Sequence, residues 1–175
     1  MNFFSKPKTL VEKARFFSKK SHRSVNQKYD GKCYFKIHIL SVADIANKFK
    51  HLIPFDFEIV LAACYLHDVI EDCRINYNEI KKEFGEQVAE LVYALTNEKG
   101  RTRKDRANLK YYQGIKNVEY ATFVKLCDRI ANIEYSKKQK STMFEKYKKE
   151  NKFFNEQLYD SRYKEMFDYI DEILK

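Results

Sequence analysis

At 175 residues, 44% of them hydrophobic, the chain carries enough apolar material for one proper core and has no need of a second domain. A formal charge of +9, from 26 lysines and eight arginines against 25 acids, raises nucleic acid as a partner, yet no helix-turn-helix, zinc-finger or RNA-motif signature accompanies it. Only four glycines and two prolines occur, and apolar residues recur three and four apart without sustained alternation, which excludes a β-rich fold and predicts an all-α domain of about seven to nine helices.

Along the chain, the N-terminal apolar runs are short and broken by lysine, so neither a signal peptide nor a membrane span is expected. His38 opens a predicted amphipathic helix, HILSVADIANKF, with Ile39, Val42, Ile45 and Ala46 as its apolar stripe. Pro54 separates it from a central helix for which Asp56 is a candidate cap. That helix is almost wholly apolar from Ile59 to Leu66 and ends in Leu66-His67-Asp68-Val69-Ile70-Glu71-Asp72. Three carboxylates and an imidazole then fall within two helical turns, with Glu71 four residues after His67 and Asp72 four after Asp68, on one flank. Unpaired buried carboxylates are costly, and the carbonyls at a helix C-terminus add negative potential, so a bound cation is the natural compensation.

Gly85 and Gly100 mark later breaks, and a dense basic block follows the second: Lys99, Arg101, Arg103, Lys104, Arg106 and Lys110, with three of the eight arginines. Arginine suits bidentate contacts to phosphate, but a solvated helix face explains such a run as well. Asp128 then interrupts the apolar pattern of FVKLCDRIANIEY, where it would be buried without a partner unless Lys125, three residues away, pairs with it. After Ser136, a lysine-rich connection leads to a closing amphipathic helix striped by Phe153, Phe154, Leu158, Tyr159, Tyr163, Phe167 and Ile170, read as core. His22 and His51 read as structural or surface residues. Two imidazoles and two carboxylates, His38, His67, Asp68 and Asp128, thus form a nitrogen and oxygen donor set suited to Mn²⁺, Fe²⁺ or Zn²⁺ with positions left for a water nucleophile.

The order His38, His67-Asp68, Asp128 resembles the HD-domain metal-dependent phosphohydrolases. The surrounding blocks, LHDVIED, then FGEQVA (84–89), ALT (94–96) and KLCDRIAN (125–132), are similar to the hydrolase domain of RelA/SpoT-type enzymes and to the small alarmone hydrolases. The resemblance spans residues 14–135 and leaves 136–175 as a C-terminal helical extension within a single 1–175 domain. It implies a compact HD fold and a metal site at His38, His67, Asp68 and Asp128, with Mn²⁺ the usual ion. It further implies an acidic pair, Glu71 and Asp72, that orients and deprotonates water; Asn132 near the nucleotide sugar; and Lys28 beside the base. Family members usually carry Tyr three residues before the first His, often after Pro. Here Phe35 holds that place, Tyr34 stands one earlier and Cys33 falls where Pro would be, so an insertion and a replacement read alike.

The expected activity is hydrolysis of a phosphorylated nucleotide, removing the 3′-pyrophosphate of guanosine tetra- or pentaphosphate, with Arg101, Arg103, Lys104 and Arg106 meeting phosphates. Two alternatives stand beside it. The same site would serve another nucleotide or phosphorylated metabolite, and a basic nucleic-acid-binding module would explain the clusters at 6–28, 99–110 and 137–149. Cys33, Cys64, Cys73 and Cys127 lack disulfide or zinc spacing, which points to reduced thiols and a cytoplasmic setting. Oligomeric state is left open.

Overall fold

The computed structural model describes residues 9–175; Lys6 and Lys8 of the first basic cluster and the apolar residues before them lie outside the described residues. Helix α1 (Leu10–Ser24) begins with a reciprocal cap in which the Glu12 N–H donates to the Thr9 hydroxyl and the Thr9 N–H to the Glu12 carboxylate. A small hairpin follows, β1 (Lys28–Tyr29) against β2 (Lys32–Cys33), and its turn residues Asp30 and Gly31 have φ 52° and 73°. Such an Asp-Gly pair supplies the two positive φ angles of a tight hairpin turn. Strands of two residues are too short to show a period of two, so the sequence pattern does not announce them.

A π turn (Phe35–Ile39) runs straight into α2 (Leu40–Lys48), placing His38 in the wide turn ahead of the helix that the pattern has it open. Pro54 and a left-handed Asp56 lead into α3 (Phe57–Leu66). Asp56 stands at the expected cap position, but at φ 58° its side chain makes no capping bond, since capping side chains reach the first-turn amides from extended backbone. Helix α3 buries Val60, Ala62, Ala63, Cys64, Tyr65 and Leu66, as an all-apolar helix must. It stops at Leu66. His67 and Asp68 form a joint before the single turn α4 (Val69–Asp72), so the motif read as one helical run is two, with the dyad between them.

Gly85, at φ 88°, joins α5 (Tyr77–Phe84) to α6 (Glu86–Leu95). After the loop that holds Gly100 come the single turn α7 (Arg103–Arg106), α8 (Leu109–Lys116), α9 (Ala121–Lys138), α10 (Thr142–Leu158) and α11 (Lys164–Ile173). Among the described residues there are nine helices of eight residues or more and two single turns, an all-α architecture. The end of the chain departs from its reading: Lys146, Lys148 and Lys149 lie inside α10, and a 3-10 turn (Ser161–Tyr163) capped by Asp160 divides the closing helix. Phe154, Leu158, Tyr163, Phe167 and Ile170 are core, while Phe153 and Tyr159 are exposed. No helix among the described residues is long and apolar enough to cross a membrane.

Helix α9 organises the interior. Phe123, Val124, Leu126, Cys127, Ile130 and Ile133 are fully buried against a surround of α2, α3, α6, α8, α10 and α11. Lys125, Asp128 and Asn132, spaced three and four apart, form a polar stripe along this helix, and that stripe faces a cavity.

Candidate functional site

The joint between α3 and α4, the π turn and the α9 stripe bring four donors together. His67 Nε2 lies 2.9 Å from Asp68 Oδ2, 3.3 Å from His38 Nε2 and 3.8 Å from Asp128 Oδ1. His38 Nε2 is 3.2 Å from Asp128 Oδ1 and 3.6 Å from Asp68 Oδ2. Ligands held about 2.0–2.2 Å from a single divalent ion stand roughly 3 Å apart, so the spacing and chemistry of this set fit such an ion. His38, His67 and Asp128 alone already meet the spacing of a metal-holding group. The His67 Nδ1 lies 2.9 Å from the Cys64 carbonyl, and donation to it leaves Nε2 free to ligate.

Burial opposes charge on His38, but hydrogen bonds to Asp128 and Asp68 outweigh it and raise its pKa to about 9. His67 is raised in the same way, against burial, mainly by Asp68. Burial works against ionising Asp68 and Asp128 too, yet His67 and His38 hold Asp68 well below the carboxylate range, and Lys125 with the two imidazoles does so for Asp128. A cation entering this cluster competes with protons for the imidazoles, so its binding weakens as pH falls.

Supporting groups fix the donors. The Tyr34 hydroxyl donates to Asp68 Oδ2. Asp128 accepts from Lys125 Nζ at 2.9 Å through one oxygen and from Asn132 Nδ2 at 2.6 Å through the other. The Lys125 pairing weighed against a site role therefore exists, and it coexists with the imidazole contact. Tyr29 stacks on His38, centroids 5.4 Å apart, and donates to Asn132 Oδ1 at 2.6 Å. A π turn takes up one residue more than an α turn. Tyr34, at the start of this turn, reaches the cluster with its hydroxyl, and its ring packs with Phe35 in the core.

Above this floor opens a cavity of about 830 Å³, a size that suits a nucleotide-scale ligand. Glu71 and Asp72 line it together with Asn132. Asn97 donates to both Glu71 oxygens, at 3.1 and 2.9 Å, and Asp72 accepts from Gln27 at 3.2 Å. Burial, then the charges of Asp68 and Glu71, push the Asp72 carboxyl up to about 7, close to where a proton acceptor works at neutral pH. From the basic block, Arg103, Lys104 and Arg106 line the cavity. Arg101, Lys99 and Lys110 lie outside its lining, Lys110 pairing with Glu98 at 3.0 Å. Lys28, exposed on the hairpin, also lies outside it. His22 is buried with its Nδ1 3.2 Å from the Cys73 thiol, and His51 pairs at the surface with Glu165.

Sequence reasoning passed over the far wall. Tyr147, Lys149, Glu150, Phe153 and Phe154 from α10 and Arg129 from α9 complete the cavity. Arg129 carried the same signal as Asp128, a charge inside an apolar helix pattern. Among the α10 residues, Phe153 and Phe154 belonged to the aromatic stripe read as core and Lys149 to a basic cluster, while Tyr147 and Glu150 carried no signal.

A family model described as HD domain matches residues 14–153, running past Tyr135 into α10. The chain belongs to the HD-domain family. Guanosine-3′,5′-bis(diphosphate) 3′-pyrophosphohydrolase MESH1 of Homo sapiens is 31% identical over 124 residues, 71% of this chain and 67% of that protein. The guanosine-3′,5′-bis(diphosphate) 3′-pyrophosphohydrolase of Aquifex aeolicus is 41% identical over 86 residues, 49% of this chain but 11% of that longer protein. A solved structure, described as a metazoan orthologue of SpoT that hydrolyses ppGpp, superposes with a TM-score of 0.75 over 96% of this chain and 97% of that one. At 22% identity that likeness speaks for the fold. The HD-domain assignment accounts for a His/Asp donor set at the base of a polar cavity and for the helices that hold it.

Proposed function

We propose that this HD-domain hydrolase removes the 3′-pyrophosphate of guanosine tetra- or pentaphosphate, releasing pyrophosphate and GDP or GTP. The convergence of His38, His67, Asp68 and Asp128 beneath a basic cavity carries this reading, and the names of the curated relatives support the choice of substrate. Mn²⁺ is the ion we assign to those four residues; when bound, it supplies the Lewis acidity that gathers an anionic substrate and acidifies water. Glu71 and Asp72 take the proton from the attacking water. Asn97 aims Glu71, and Asn132 meets the sugar while bracing Asp128. Arg103, Lys104 and Arg106 receive phosphate oxygens, and Arg101 and Lys28 contribute from beyond the cavity edge. The binding partner is a small phosphorylated nucleotide, and the unpaired cysteines favour a cytoplasmic setting. The chain is read as one domain whose C-terminal extension, from 136 on, walls the cavity through Tyr147, Lys149, Glu150, Phe153 and Phe154.

Incubation with ppGpp and Mn²⁺ should release pyrophosphate and stop on addition of a chelator. Release from a different nucleotide but not from ppGpp would move the substrate within the same chemistry. Salt-dependent association with RNA or DNA, indifferent to the chelator and without hydrolysis, would favour the nucleic-acid alternative.

A further inference from the structure

Arg129, 5% exposed, sits in the cavity wall with its Nη2 donating to the Tyr147 carbonyl at 3.0 Å and its Nη1 3.3 Å from Glu150 Oε2. Its Nε is buried and finds no partner among the described residues. From the opposite side, Arg103 brings Nε to Glu150 Oε1 at 3.0 Å and Nη2 to Oε2 at 3.2 Å. One carboxylate is therefore shared by two guanidiniums, each also lying over the Tyr147 ring, at 4.6 Å for Arg129 and 5.5 Å for Arg103. All four residues line the cavity that holds the His/Asp cluster. Arg103 belongs to α7, a single turn that buries none of its residues.

A carboxylate in a guanidinium fork has the same geometry as a phosphate there, two parallel acceptors facing two donors. We infer that Glu150 is a specificity-determining residue: it occupies the Arg103 fork, and a ligand phosphate must displace it. The inference rests on the reading of this cavity as a phosphate-binding site. A single phosphate that takes over Arg103 exchanges one anion for another and gains little. Two linked phosphates take over Arg103 and also reach Lys104 or Arg106, which have no carboxylate partner among the described residues, and so gain contacts beyond the exchange. Glu150 thereby sets a threshold that favours pyrophosphoryl ligands. Arg129, buried and tethered to the Tyr147 carbonyl, stays with Glu150 when Arg103 leaves.

Calorimetric binding of inorganic pyrophosphate and of inorganic phosphate to the metal-loaded protein, freed of excess metal, tests this. E150Q keeps an oxygen acceptor for Arg129 and removes the competing charge. It should tighten pyrophosphate binding about fivefold, ~1 kcal/mol, and tighten phosphate by a similar factor, lifting it over the threshold that Glu150 sets. R103Q should weaken pyrophosphate binding, and in the R103Q background the E150Q gain should vanish. Unchanged or weaker pyrophosphate binding in E150Q, or a gain that survives in R103Q/E150Q, overturns the inference. If E150Q fails to fold, R103Q decides alone: pyrophosphate affinity equal to wild type overturns it. The cycle uses no nucleotide, so a failure of the ppGpp assignment and a failure of the Glu150 inference are told apart.

Discussion

On the floor of the cavity His38 and His67 are each 3% exposed and every donor contacts two or more others, whereas on the basic wall Arg103 keeps half of its side chain in solvent and α7 buries nothing. The floor is made of helix joints and a helix interior, so its charges are desolvated and interact strongly at short range. The α7 side of the wall is made of exposed side chains, whose ion pairs contribute roughly 0–1 kcal/mol and exchange readily. Chemistry needs donors that do not move, and capture of a polyanion needs groups that can change partner. In the function proposed above, the two halves of one cavity divide these tasks between buried and exposed charge.

The sharpest way to break the comparison is to remove a floor ligand. Asp68→Ala and Asp128→Ala should each abolish pyrophosphate release and lower the metal content measured by elemental analysis, with helical circular dichroism retained. Full metal occupancy in both variants would take these residues out of the site. Stripping metal from the wild type should lower its melting temperature, because the ion binds the folded cluster and not the unfolded chain.

Glu71 and Asp72 stand between floor and wall. Glu71→Gln or Asp72→Asn should lower kcat by roughly 10²- to 10⁴-fold, the contribution of a positioned general base, while metal content stays normal. Loss of metal in either variant would make that residue part of the floor, and wild-type kcat in both would make the pair structural.

Beneath the floor, His22 tests whether burial there governs stability. Burial, only partly offset by Asp68, lowers its pKa from 6.5 to about 4, so the folded protein holds it neutral. Between those values the unfolded chain binds a proton that the folded one does not, so stability is intact above pH 6.5 and falls as pH drops toward 4. The full loss is about 3 kcal/mol. Denaturant melts in chelator should show His22→Gln losing about that much less than wild type between pH 7 and 4. Parallel curves would remove His22 as the cause.

The smallest expected effects lie on the wall. Neutralising Arg103 or Arg106 should raise KM for a pyrophosphorylated nucleotide about tenfold, ~1.4 kcal/mol, and raise it less for a small phosphodiester lacking the extra phosphates. Arg101→Gln, outside the cavity lining, should shift KM less than either. Equal shifts with both substrates would return the block to a solvated helix face.

The floor could be read from the sequence because its donors sit where the local pattern forbids them. An imidazole and three acids close an apolar run at Leu66, and Asp128 breaks the apolar period of α9; each anomaly demands a partner wherever the helix packs. Helix content followed from the same periodicity. The joint at His67-Asp68 and the π turn at His38 did not, since both depend on tertiary packing that overrides a continuous helical pattern. The wall was least legible. Glu150 and Tyr147 lie among lysines on α10 with nothing local to single them out, and their meeting with Arg103, 47 residues from Glu150 in the chain, is decided by how α10 packs on α8 and α9. Composition and spacing thus determined the fold class and the metal-binding chemistry, because burial within a single helix already constrains those residues. Only the tertiary structure decided which cations line the cavity, because an exposed charge satisfies its physics equally well anywhere in water.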